Sequence, residues 1–362
     1  MIFKLFYNLD FSIPKKKKYL VFDNLRLKYF KYYLGDSLNV INFRDKKFSF
    51  FAVLYALIFF YRSEFKIEYI KFFLNFSEKK IIFSFNYNRI ILYRIKKYYP
   101  NVKIIVIQNG ISNKFFLDKL GKSKIKLSCD FFLCMTKIEK KIFEKYIDAN
   151  FVIIGSFLNN YYLNDKKKNF NEILIISQYR DKDREHNLKS SFHNTHEFLI
   201  PCLIKFLKVK KYKEKISILG SSSNPKKEKI YYKKFFKGFK FNFYKKKEFF
   251  GYHRVDNTKI VIGIDSTLLY EAFARNKKIG IFNLSGNLEK YRVHDTFLWK
   301  HYLKGEGIFW TRSKNEKKIF KIFNYLFNCS NIEWLKVKNR YKDLMIKDEG
   351  NKKFIKTINS IS

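Results

Sequence analysis

Short runs of apolar, largely β-branched residues alternate along this chain with longer stretches in which apolar positions recur every three or four residues. Runs at Tyr19–Phe22, 39–43, 80–85, Lys103–Ile107, 131–135 and 151–154 predict strands, and the stretches 88–98 and 137–147 predict helices. A polar segment at 159–171, holding Asp165, Lys166, Lys167 and Lys168, then breaks the periodicity and predicts a linker. A second series follows. Strands are predicted at 172–177, Lys215–Leu219, 239–244, 259–264 and Lys278–Phe282, with helices at 196–208, 227–236 and 267–275. From residue 314 the pattern is helical and very basic. Such alternation predicts parallel strands with crossover helices. The expected fold class is therefore α/β, with two Rossmann-like doubly wound domains facing a cleft. The first spans 1–158, the linker 159–171 and the second 172–345, and a helical tail occupies 346–362. Ligands of such sheets bind beyond the carboxyl ends of the strands, so the turns after the strands are the candidate sites.

Composition narrows the picture. A chain of 362 residues suits two domains of ordinary size. With 43 Phe and 26 Tyr it carries too much apolar surface to stay disordered, and 13 Gly and 4 Pro exclude collagen-like classes. Cys129, Cys134, Cys202 and Cys329 have no CxxC spacing and read as reduced thiols of a cytoplasmic protein. Residues 1–11 are interrupted by Lys4 and Asp10 and show no leader cleavage site. The apolar run 50–61, closed by Arg62, is shorter than the roughly 20 residues that span a bilayer. It predicts a buried core helix, with a membrane-dipping segment as the alternative. The net charge of +43 either marks an anionic partner or reflects a general preference for Lys, Ile, Asn, Phe and Tyr. Lysine is spread through every segment, which favours the second explanation.

The richest turn is Asp265-Ser266-Thr267, which follows an almost purely apolar strand and opens a helix. Ser266 or Thr267 can cap that helix, whose N–H groups and dipole favour an anion, and two hydroxyls suit a diphosphate. Glu271, one turn on, can accept hydrogen bonds from ribose hydroxyls. Asp-Ser-Thr is equally an ordinary N-cap, and Glu271 an ordinary acid near a helix start. Gln108-Asn109-Gly110 follows another strand and offers amides to a sugar or acceptor hydroxyl, or is a bare turn. Ser177 and Gln178 follow a third strand, and Gly220, Ser221 and Ser222 a fourth. Hydroxyl-rich turns of this kind bind phosphate or serve turn chemistry. There is no P-loop lysine, GxGxxG or GxSxG, which disfavours Walker-type ATP hydrolysis, ordinary NAD dehydrogenases and nucleophile-elbow hydrolases. His193 and His196 lack further ligands at zinc spacing. His186, His193, His196 and Glu197 flank a helix start, where one could act as acid or base, though a capping or solvated role is the plainer reading.

Taken in order, Gln108-Asn109-Gly110, Ile154-Gly155-Ser156, Ile176-Ser177-Gln178-Tyr179 and the segment from Asp265 to Lys278 resemble a bacterial family of surface carbohydrate biosynthesis transferases. That family is similar to CDP-glycerol glycerophosphotransferases and to capsule glycosyltransferases of the GT-B fold. The resemblance covers roughly residues 80–283 and is most specific over 265–278. It implies a glycosyltransferase that moves a sugar from a nucleotide-activated donor to a hydroxyl acceptor, with the donor on the C-terminal domain and the acceptor on the N-terminal one. Ser266 and Thr267 would meet the donor phosphates, Glu271 the ribose, and residues 108–110 the acceptor. In the glycerophosphotransferases a His precedes the Gly of that turn. Here Asn109 stands there, preceded by Gln108, so Asp265, Glu197 and His196 become the candidate bases. Arg180 or Arg254 would help stabilise the leaving diphosphate. Asp181 and Asp183 have the form of a DxD motif, but the resemblance implies neither metal nor cofactor. Expected partners are a nucleotide sugar, a glycan or lipid-linked acceptor and an anionic membrane surface, with no specific nucleic acid. The expected location is the cytoplasm, at the inner membrane face. A nucleic-acid-binding protein and a non-catalytic scaffold of the same fold are the competing readings.

Overall fold

The computed structural model describes residues 9–42, 48–112, 114–123, 126–163, 171–179, 191–245, 247, 249–284 and 301–361. Two all-parallel six-stranded sheets organise them. The first is built from β2 (Tyr19–Phe22), β3 (Leu38–Ile41), β5 (Ile81–Ser84), β6 (Lys103–Ile107), β7 (Leu127–Cys134) and β8 (Ile147–Ile153), in the order β3-β2-β5-β6-β7-β8. The second is built from β9 (Glu172–Ile176), β10 (Lys215–Leu219), β11 (Phe241–Tyr244), β12 (Ile260–Gly263), β13 (Lys278–Phe282) and β14 (Trp310–Thr311), in the order β11-β10-β9-β12-β13-β14. β1 (Leu9–Asp10) pairs with β4 (Phe48–Ser49) outside both sheets. The central strands β2, β5, β9, β12 and β13 are buried along their whole length, which is why they read as unbroken apolar runs.

In each sheet the strand order reverses once, between β2 and β5 in the first and between β9 and β12 in the second. These switch points open the crevices in which doubly wound sheets bind ligands. After β14 the helices Glu316–Asn328 and Asn331–Arg340 pack on the second sheet. The chain then returns, and the helix Lys352–Ile361 seats Phe354 and Ile358 among Tyr19, Val21, Tyr29 and Phe83 of the first domain. Gly155 makes this return possible. Its φ is +74°, and a Cβ there would lie 2.3 Å from the Ile346 carbonyl oxygen. Only glycine allows that approach.

Two expectations change. The polar segment expected to begin a linker at 159 starts inside the helix Phe157–Tyr161, with Asn159 and Asn160 fully buried. Arg275 donates to the Asn159 side-chain oxygen at 3.0 Å, and Asn160 donates to the Ile154 carbonyl at 2.7 Å. The Asn160 amide and the Asn159 side-chain oxygen are paired, whereas the Asn159 Nδ2 is buried without a hydrogen-bond partner. Residues 164–170 lie outside the described residues. The apolar run expected to be a core helix forms the helix Phe50–Phe59, but its fully buried residues are Ala52 and Ala56, while Leu54, Leu57 and Ile58 are exposed. A run that is apolar all round does not say which face is inside.

Candidate functional site

Two adjoining cavities, about 460 Å³ and 190 Å³, fill the crevice between the domains. Arg26, Leu158, Tyr252, Leu268 and Glu271 line both, so they form one divided site. The larger part reaches the second sheet at Ser177, Gly220, Ser221 and Ser266. The smaller part reaches Gln108, Asn109, Ser156 and Thr267.

β12 delivers the chain to Asp265-Ser266 at the switch point, where the helix Thr267–Ala274 begins. Ser266 holds the N-cap position in extended backbone, yet its side chain makes no capping bond and lines the larger cavity. The first N–H groups of that helix keep the partial positive charge that attracts an anion. Thr267 is engaged across the crevice, its hydroxyl oxygen accepting the Ile111 N–H at 3.2 Å. Glu271 is engaged in the same way. The Ser156 hydroxyl of the first domain donates to its carboxylate, and Tyr252 is a further hydrogen-bond partner. Burial raises the Glu271 carboxyl above the ordinary range, opposed by these bonds and by the charges of Arg26 and Arg275.

The turn after β10 does not present its N–H groups to the cavity. The amides of Ser221 and Ser222 donate to the carboxylate of Glu228, which is fully buried. The Ser177 hydroxyl donates to the same carboxylate and accepts from Tyr232 at 2.7 Å. The anion expected at Gly220–Ser222 is thus one of the chain's own carboxylates. A Cβ on Gly220 would lie 2.9 Å from it and 2.8 Å from Phe243, so the packing requires glycine.

The turn after β6 is likewise held from behind. Gln108 is fully buried, donates to the Gly110 carbonyl at 2.8 Å and to Glu139 at 2.5 Å, and accepts the Met135 N–H at 2.8 Å. Burial pushes the Glu139 carboxyl up to about 7, against the hydrogen bonds that it accepts from Ser112 and Gln108. Asn109 faces the crevice and accepts from Arg26 Nε at 2.6 Å.

The three candidate bases stand apart from both cavity linings. Asp265 accepts from the Tyr270 hydroxyl at 2.6 Å, and its N–H donates to Gln178 at 2.7 Å, which also places Gln178 away from the cavity wall. His196 is buried with its ring 3.3 Å from the Tyr232 hydroxyl. Glu197, on the same helix, lies near Tyr231. Arg254 pairs with Glu172 and stacks over Tyr244, so it is committed within the second domain. Arg180, Asp181, Asp183 and His186, and the side chain of His193, lie outside the described residues. Among the described residues no group of three or more His, Cys, Asp or Glu could hold a metal ion.

Arg26, Tyr252 and Lys247 complete the polar lining, and none of them stood out in the sequence. Arg26 follows β2 at the first sheet's switch point. Asp23 and Arg26 both adopt positive φ there, which folds the turn back toward the crevice. The usable signal is positional, since β2 is the strand at which the order reverses.

Comparison with known proteins matches this architecture. The model of a family described as "putative O-antigen biosynthesis protein" matches residues 105–362. No curated protein matches. Among solved structures, a glycosyltransferase from Rickettsia africae ESF-5 is similar at 12% identity and TM-score 0.54, over 94% of this chain and 89% of that one. A UDP-GlcNAc 2-epimerase from Neisseria meningitidis, bound to UDP-GlcNAc, is similar at 10% identity and TM-score 0.56, over 95% and 91%. The pneumococcal O-GlcNAc transferase GtfA is 14% identical at TM-score 0.46, over 82% of this chain, which spans 60% of that protein's length. The fold is that of the two-domain GT-B glycosyltransferases and epimerases.

Proposed function

We propose that this chain, which belongs to the O-antigen biosynthesis family whose model spans residues 105–362, transfers a sugar from a nucleotide-activated donor to a hydroxyl of a glycan or lipid-linked acceptor. One observation carries this reading. At the second sheet's switch point, a helix N-terminus with the uncommitted cap hydroxyl of Ser266 shares a 460 Å³ cavity with Arg26, Lys247 and Glu271. The first three supply donors and positive potential for a diphosphate, and Glu271 supplies an acceptor for ribose hydroxyls. Thr267 would join the phosphate contacts, and Ser177 and Ser221 bound the same pocket. Gln108 and Asn109 would form the acceptor-side wall, with Asn109 as the group aimed at the sugar, while Gly110, whose carbonyl accepts from Gln108, is not part of that lining.

On this reading the acceptor hydroxyl oxygen attacks the anomeric carbon as the bond to the diphosphate breaks, and the hydroxyl proton passes to the departing phosphate oxygen. Arg26 and the helix N-terminus stabilise the charge that develops on the leaving oxygen. Glu271 is the only carboxylate among the described residues that line either cavity. The fold also serves epimerases. An acid and a base flanking one sugar carbon would favour that chemistry, and a single lining carboxylate favours transfer. We place the reaction in the cytoplasm, a reading supported by four cysteines that are all free and buried.

The test is release of nucleoside diphosphate from a panel of nucleotide sugars, with and without cell-envelope glycan acceptors. Acceptor-stimulated release from one donor, lowered at least about tenfold by Arg26→Ala, is expected. Release that is absent with every donor, or indifferent to Arg26→Ala, contradicts the proposal.

A further inference from the structure

The helix Phe50–Phe59 is mounted with its small residues inward. Ala52 and Ala56 fill the domain core, while Leu57 and Ile58 are each 56% exposed. The exposed apolar surface continues through Phe60, Tyr61 and Phe65 of the following turn. Phe11 packs its ring 4.9 Å from that of Phe50, tilted by 31°, and, with Ile13, extends the patch along the β1 side. Isolated apolar residues on a surface need no explanation, but a contiguous ridge of large ones marks an interaction face.

The rim of this ridge says what covers it. Lys15, Lys16, Arg62 and Lys66 are exposed beside it. The Arg62 guanidinium lies over the rings of Phe59 and Tyr61, at 4.8 Å and 5.4 Å. Acids of the same segment are largely neutralised within the protein. Glu64 is paired with Arg94, and Glu68 is buried and accepts from Ser63 and Tyr99. Among the described residues beside the ridge, Asp10 is the exposed acid. A second copy of the chain would bring two basic rims together, which opposes self-association through this face. An apolar ridge with aromatic residues and a basic rim matches the interface of an anionic bilayer, where the ridge enters the acyl boundary and the cations meet headgroups.

We propose that the face formed by Phe11, Leu57, Ile58, Phe60, Tyr61 and Phe65 docks the protein on an anionic lipid bilayer. The docking is peripheral, since no helix among the described residues is long and apolar enough to cross a membrane. It goes beyond the transferase reading and is tested apart from it.

Flotation with vesicles of phosphatidylcholine and phosphatidylglycerol (7:3) at about 150 mM salt tests it. The native protein floats with these vesicles and binds at least about tenfold less to pure phosphatidylcholine. Leu57→Glu with Ile58→Glu lowers binding to the anionic vesicles at least about tenfold while leaving nucleoside diphosphate release without vesicles unchanged. In a separate Tyr61→Trp variant, indole fluorescence shifts blue on the vesicles and is quenched by brominated acyl chains. Failure of the native protein to float overturns the proposal. So does undiminished flotation of the double variant together with an unquenched Trp at 61, because charge alone would then explain adsorption. A concentration-dependent dimer that the double variant dissociates, with no vesicle binding, assigns the face to a second copy and also overturns it.

Discussion

Glu271 is asked to do one thing in the transferase reading, which is to hold the donor. Glu271→Gln removes a charged acceptor and keeps the shape. Donor affinity is expected to fall about tenfold or more, with a smaller change in turnover at saturating donor. Unchanged donor affinity with turnover lost would make Glu271 the base instead, and steady-state kinetics on one donor separates the two. Glu228 has a structural task by contrast. Its carboxylate satisfies the amides of Ser221 and Ser222 and the hydroxyl of Ser177. Glu228→Ala leaves the buried Ser177 hydroxyl and the part-buried Ser221 and Ser222 amides without that acceptor, at a cost on the order of 3 kcal/mol in denaturant unfolding. The ribose role of Glu271 was readable from its place one turn into the helix, whereas the roles of Glu228 and Arg26 were not. Glu228 sits in a lysine-rich stretch that reads as a solvated helix, and Arg26 is one cation among 75 Lys and Arg. Only the strand order singles Arg26 out.

At the scale of elements, the turn 108–112 and the helix Lys137–Phe143 are joined through Glu139. Its carboxyl is raised from an ordinary 4.5 to about 7 in the folded protein. The folded state therefore binds more protons than the unfolded state between these values. Stability is expected to fall as pH rises from about 4.5 to 7, by as much as about 3 kcal/mol. Glu139→Gln keeps the acceptor oxygen and removes the charge. Its unfolding midpoint should flatten across that window and exceed the native value at pH 8, which urea denaturation at several pH values reads directly. The crossing at Gly155 gives a second expectation. Gly155→Ala forces a Cβ against the Ile346 carbonyl and should lower the melting temperature by several degrees. The alternation of strands and helices was readable because buried parallel strands are apolar throughout and their crossover helices are amphipathic. The orientation of Phe50–Phe59 was not, because either face of a wholly apolar helix satisfies the same pattern. The short strand β14 and the helix Phe250–Asp256 escaped because each is too brief to show a period.

Across the whole molecule, two domains of one plan face each other, and the crevice is held partly by groups that the donor would need. Ile111 occupies the hydroxyl of Thr267 and Ser156 occupies the carboxylate of Glu271. Ligand binding on this account exchanges interdomain hydrogen bonds for donor contacts. The charge of +43 surrounds the site with positive potential, so any polyanion will adsorb at low salt. Adsorption of that kind weakens steeply as salt rises, whereas a buried diphosphate site is screened far less. The most direct measurement is calorimetric titration of nucleoside diphosphates, inorganic pyrophosphate and a DNA duplex at about 150 mM salt, on the native chain and on Arg26→Ala with Ser266→Ala. A donor site at Arg26 and Ser266 predicts saturable binding at one site that discriminates among bases, exceeds pyrophosphate and is lost in the double variant. Equal binding of every polyanion, undiminished by those substitutions, would contradict it.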